Sequence, residues 1–186
     1  MNPIKNKKDL VETIDKIRNF AYSYIEKYSP SKQQLRIHLF KKFVKTEQKK
    51  SSKKEIFDLI DTVIVTLVDQ KLLNDKYYSD AKSKAFYRRG YSLNKIRYNL
   101  VKKGIDHKYI KASISKIKEE ESDPDFFSAI KLCKRRRIGP NREESNRVLF
   151  YKKDISILAR SGFSYEISKK VLEIPKDEFL KFCKMI

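Results

Sequence analysis

One pattern recurs in this chain at a fixed distance, and it limits the fold more than any other feature. Ser31 leads Leu35-Arg36 and Leu39, and Ser92 leads Ile96-Arg97 and Leu100; the shift is 61 residues (92 − 31) at all four positions. A third, looser copy follows. Leu158 and Ser161-Gly162-Phe163 echo Leu100 and Lys103-Gly104-Ile105, and Ile114 and Leu172 each fall ten residues after a glycine. Self-similarity of this kind marks stacked supersecondary units, none of which buries its apolar face alone.

Helix signals punctuate the copies. Asp9 is placed to cap a helix carrying Leu10, Ile14, Ile17, Ala21 and Ile25 at mostly three- and four-residue spacing. Ser31 with Gln34, and Ser52 with Glu55, read as capping boxes: the serine oxygen takes one free N–H of the first turn and the longer side chain reaches back to another. Behind Ser52, the residues Ile56, Leu59, Ile60, Val63, Ile64 and Leu67 make a broad stripe for the core. Asp75 and Ser92 open the next two helices. Gly104 stands where a helix ending in Lys102-Lys103 needs a left-handed residue, with Asp106 ready to cap the next. Asp123-Pro124 joins a side-chain acceptor to a proline whose missing N–H costs nothing at the first helical position. Gly162 and Ser164 repeat the stop and restart, and Pro175 opens a short last helix.

With only 4 Gly and 5 Pro and no convincing run of period two, an all-α chain of nine helices plus a C-terminal one is expected. The helices group as three tandem three-helix repeats, residues 9–73 (with a lysine-rich insertion at 44–54), 74–121 and 122–173, followed by a short helix in 174–186. Such an array forms an elongated, curved body.

No catalytic constellation stands out. His38 and His107 lie on separate repeats without a second ligand at metal spacing, and Cys133 shares an apolar face with Ala129 and Ile130, as a packed thiol would. The glycines fit no phosphate-loop spacing, and the acidic run Glu119-Glu120-Glu121-Ser122-Asp123 reads as a solvated helix end. The expectation is a protein that is not an enzyme and needs neither metal nor cofactor. The longest apolar stretch, Val63 to Val68, is far short of the ~18–20 residues of a membrane span. No apolar secretory segment opens the chain, and two lone cysteines suit a reducing interior, so a cytoplasmic monomer is expected.

The net charge of +20 points to polyanionic partners. Residues 82–103 carry eight Lys/Arg and no acid, residues 131–153 carry nine against two acids, and residues 41–54 carry seven lysines against one glutamate. Lysines on a merely solvated face would look the same. Arginines in a lysine-rich chain would not, since the guanidinium fork suits phosphate and carboxylate. Candidate contact residues are therefore Arg88, Arg89, Tyr91, Lys95, Arg97, Lys102 and Lys103 in the second repeat. In the third they are Lys134, Arg135, Arg136, Arg137 and Arg142. Two roles stay open for Arg97, a partner contact or an ion pair within its repeat, and two for Tyr91, a base-stacking ring or a hydrophobic staple at a helix entrance. Tyr87 and Tyr151 also lie within the basic runs. Core positions are expected for Tyr78 and Tyr98.

From about Phe20 to about Leu172 the chain also resembles the RecX family. The similarity is carried by Leu73-Asn74-Asp75, Tyr78, Arg88-Arg89-Gly90-Tyr91-Ser92, Ile96-Arg97, Leu100 and Lys103-Gly104-Ile105. It continues in Lys134-Arg135-Arg136-Arg137-Ile138-Gly139-Pro140 and Leu158-Ala159-Arg160-Ser161-Gly162-Phe163-Ser164. Two departures are Ser79, where the family usually has alanine, and the insertion at 44–54. The resemblance implies a regulator that lodges in the groove of the RecA–single-stranded DNA filament, meeting DNA mainly through the filament and without sequence preference. There it would block extension and damp recombinase and co-protease activity, in control of DNA repair and the SOS response. A helical protein that binds DNA directly, with no dedicated protein partner, is the alternative.

Overall fold

A computed structural model describes residues 7–47 and 52–186. These form ten α-helices and no strand: α1 (Lys7–Tyr28), α2 (Lys32–Glu47), α3 (Lys53–Asp69), α4 (Asp75–Arg88), α5 (Leu93–Lys102), α6 (His107–Glu120), α7 (Pro124–Arg136), α8 (Glu144–Arg160), α9 (Tyr165–Leu172) and α10 (Lys176–Met185). A 3-10 turn at Gly139–Asn141, which no cap signal announced, joins α7 to α8. The all-α expectation holds. Among the described residues no helix is long and apolar enough to cross a membrane.

Most caps fall where the sequence puts them. Both capping boxes form, Ser52–Glu55 ahead of α3 and Ser31–Gln34 ahead of α2. The Asp123 carboxylate accepts from the Phe126 N–H, and the Ser164 hydroxyl from that of Ile167. One differs: helix α1 starts before Asp9, which lies inside it and not at its cap. Helix α4 opens at Asp75 as expected, with its capping oxygen supplied by Asn74, which takes the Tyr77 N–H at 3.0 Å, while Asp75 reaches back to α2. In the insertion α2 continues to Glu47 and α3 starts at Lys53; Lys49 and Lys50 lie outside the described residues.

The chain divides into two compact units. The first comprises residues 1–78 with 103–106. Helices α1, α2 and α3 meet through Ile17, Ala21, Leu35, Leu39, Ile60 and Leu67, all at 0% exposure, and each large aliphatic side chain there contributes roughly 1.5–3 kcal/mol. Arg36, from the repeated pattern, grips Asp61 with two parallel bonds of 2.6 and 2.7 Å and lies over Phe57. His38 stacks between Tyr24 (3.9 Å) and Phe20 (5.8 Å). The start of α2 is tied to two later segments. Ser31 donates to the Lys103 carbonyl at 2.6 Å, and the Lys32 N–H donates to the buried Asp75 carboxylate at 2.9 Å.

The second unit comprises residues 79–102 and 107–186. Its main core joins α7, α8, α9 and α10 through Ile130, Cys133, Leu158, Val171 and Phe179. The start of α5 is tied as α2 is: Ser92 donates to the Ser161 carbonyl at 2.8 Å, and the Leu93 N–H donates to Asp125 at 2.7 Å. The serines of the 61-residue pattern thus make equivalent bonds, each to the carbonyl just before a left-handed glycine (Gly104 φ +72°, Gly162 φ +87°). Each serine also caps its own helix. Ser79 packs its hydroxyl 2.8 Å from that of Ser113, which is also within bonding distance of Asp80 and the Tyr109 carbonyl. Because Ser113 has one proton to give, Ser79 is the donor of the pair whenever Ser113 bonds either oxygen.

Candidate functional site

The second unit carries a cleft of about 380 Å³ lined by Gly90, Tyr91, Lys95, Leu132, Arg135, Arg136, Ile157, Arg160 and Ser161. The end of α4, the start of α5 and the ends of α7 and α8 converge there. Four cationic side chains line it and no carboxylate does. Among the described residues none of the four is in an ion pair. Two are nonetheless held in place: Arg135 donates to the Arg89 carbonyl at 2.6 Å, and Arg160 to the Ser156 carbonyl at 3.1 Å. Cations at the C-terminal ends of α7 and α8 also match the negative ends of those helices. Like charges on concave walls focus a field that attracts anions, and the donors there suit phosphate or carboxylate chemically.

Tyr91, Lys95, Arg135 and Arg136, all predicted contact residues, are brought together here. Tyr91 stacks on Phe86 at 5.2 Å, so its ring is anchored as well as bordering the cleft. Arg88 and Arg89 are exposed at the end of α4, and only the Arg89 carbonyl is engaged with Arg135. Exposed Arg97 donates to Asn94 at 3.0 Å, an internal partner that is not a carboxylate. Lys134 donates to the Cys183 carbonyl at 2.9 Å. Arg137 ends α7 in the left-handed region at φ 53°. Lys103 is exposed, with its carbonyl held by Ser31. Arg142 is a correction to the prediction. Its guanidinium closes on Asp154 with bonds of 2.7 and 2.8 Å, and Asp154, at 1% exposure, also accepts the Gly139 N–H. That arginine neutralises a buried charge and is committed to the fold.

Tyr98 is the second correction. It is 51% exposed on α5, with the Lys102 ammonium 4.7 Å and the Lys95 ammonium 5.6 Å from its ring. A bond from Lys102, then the lysine charges, pull its hydroxyl below the ordinary tyrosine value. Tyr78 is buried as expected. Sequence reasoning passed over Arg160, although it stands two residues before Gly162 as Lys102 stands before Gly104.

Elsewhere the chemistry is quiet. Burial pushes the Cys133 thiol up to about 12, far from the thiolate a nucleophile needs. Among the described residues no cluster of His, Cys, Asp or Glu is arranged to hold a metal ion. A second cleft of about 630 Å³, beside Val148, Tyr151, Leu172 and Pro175, mixes acids with Arg147 and Lys152. Arg147 is already engaged with Glu144 and the Leu172 and Ile174 carbonyls. It presents no field of one sign.

No family model matches the chain. The regulatory protein RecX of Myxococcus xanthus is 28% identical over 163 residues, 84% of each chain. RecX of Clostridium perfringens is 24% identical over 167 residues, 89% of this chain and 72% of that one. In fold, the crystal structure of RecX from Lactobacillus salivarius aligns with a TM-score of 0.59 at 20% identity, covering 95% of this chain and 99% of the other. A second crystal structure, of a regulatory protein RecX, aligns with a TM-score of 0.56 over 91% and 78%.

Proposed function

We propose that the chain, which is similar to RecX proteins in sequence and in fold, is a regulator, not an enzyme, acting on the RecA recombinase. In this reading the monomer lodges in the groove of the RecA–single-stranded DNA filament, blocks its extension, and so damps strand exchange and co-protease activity in DNA repair and the SOS response. The observation that carries it is similarity to a RecX regulatory protein over 84% of both chains.

The charge supports it. A filament groove is walled by protein and floored by nucleic acid, and an unpaired cationic cleft is drawn to either one's anions. The three helix sets, 9–73, 74–121 and 122–173, belong to the same proposal: repeated units each making a modest contact gain from avidity.

Preformed RecA filaments provide the test. ATP hydrolysis should fall when the protein is added well below one molecule per DNA-binding site. A decline only after the DNA lattice has been titrated would favour the alternative, direct competition for DNA. No change at any ratio would remove RecA as the target.

A further inference from the structure

We infer that the cleft and the adjoining face of α5 form one strip for single-stranded nucleic acid, with a phosphodiester seated among Lys95, Arg135, Arg136 and Arg160 and an unpaired base stacked on Tyr98. This deepens the proposed role on its DNA-facing side, and its test contains no recombinase, so the two fail separately.

Lys95 links the two halves. Its side chain lines the cleft while its ammonium lies 5.6 Å from the Tyr98 ring. The cleft supplies donors without a competing carboxylate, and the forks of Arg135 and Arg160 are held in advance by main-chain carbonyls. Beside it, Tyr98 turns half its surface to solvent in a positive surround. An acidic peptide would satisfy the cations and leave the ring unused. A duplex would satisfy them and hide its base faces. Of these polyanions it is the unpaired strand that brings phosphates and a free aromatic face together, and stacking of that kind tolerates any base.

The full chain is titrated into a fluorescent oligothymidine and into an abasic strand of the same length, with anisotropy as the readout. Tyr98→Leu should weaken oligothymidine binding by about tenfold and leave the abasic strand unchanged. Tyr98→Phe, which keeps the ring, should bind like the parent. Arg136→Gln should weaken both strands alike and flatten the slope of log affinity against log salt by about 0.7, the loss of one phosphate contact. Circular dichroism confirms that each variant is folded. The proposal is overturned if Tyr98→Leu affects both strands equally or neither. It is equally overturned if inorganic polyphosphate of matched charge displaces oligothymidine as well as unlabelled oligothymidine does, since the surface would then read charge alone.

Discussion

Ser92 gives its hydroxyl proton to the Ser161 carbonyl at 2.8 Å and, with the same oxygen, accepts the Lys95 N–H at 3.1 Å. As an isolated cap, aspartate would rank beside serine. Here it would not, because a carboxylate has no proton for the carbonyl and the site is fully buried. Ser92→Ala should lose about 1–2 kcal/mol in urea melts. Ser92→Asp should lose more than Ser92→Ala, despite restoring a capping oxygen. Parent-like stability in Ser92→Asp would mean the donated bond does not matter to the joint.

Gly162 and Arg137 both sit at positive φ, with opposite consequences. A Cβ on Gly162 would fall 2.5 Å from the Ser92 hydroxyl oxygen and 3.2 Å from the Lys95 nitrogen. Gly162→Val should therefore cost well over ~1 kcal/mol, as should Gly104→Val, whose added carbon would overlap Gln33. Arg137 already bears a side chain at φ 53°. Arg137→Gly should be neutral or stabilising by up to about 1 kcal/mol. Thermal melts of the three variants test the contrast, and it fails if all move together.

Ser79 and Ser113 should respond unequally to alanine. Without Ser79, Ser113 keeps Asp80 and the Tyr109 carbonyl, so Ser79→Ala should stay within about 1 kcal/mol of the parent. Ser113→Ala strands the Ser79 hydroxyl at 0% exposure and should cost about 1–3 kcal/mol. Denaturant melts giving the reverse order would show that the hydroxyl pair is wrongly assigned.

Stability should depend on His38 in mildly acid solution. Burial between Phe20 and Tyr24, and then the charges of Lys42 and Lys41, lower its pKa from the ordinary 6.5. The unfolded chain therefore takes up the proton first. The stabilising contribution is complete above the unfolded value and is lost as pH falls through 6.5 toward the depressed folded value. His38→Phe keeps an aromatic ring and removes the titration. Its melting temperature should fall less than the parent's between about pH 7.5 and 5.5. Parallel curves would locate the acid sensitivity elsewhere.

Local features of this fold were legible in the sequence because caps, stripes and stop signals act within one turn. Spacing even had the answer for Tyr98. Two residues from both Ile96 and Leu100, it is turned roughly 200° from the core-facing side, and aromatic character was the wrong guide. Arg142 and Arg136 look alike in a basic run, yet one is locked and the other lines a cleft. The telling residue was Asp154, four before buried Leu158 and so on an apolar face, where an acid needs a partner. The cleft itself assembles helix ends that lie up to some 70 positions apart (Tyr91 and Ser161), and no local pattern lists which cations become neighbours.

The ties at Ser31 and Ser92 end on peptide carbonyls, so they are blind to the side chains of Lys103 and Ser161. A lysine occupies one turn and a serine the other, and the fastening is the same. Surface charge at these turns can thus be rewritten without disturbing how the helices are joined. Basicity and architecture are separable properties at these turns, and a variant stripped of cations there should keep its form while its attraction to polyanions weakens.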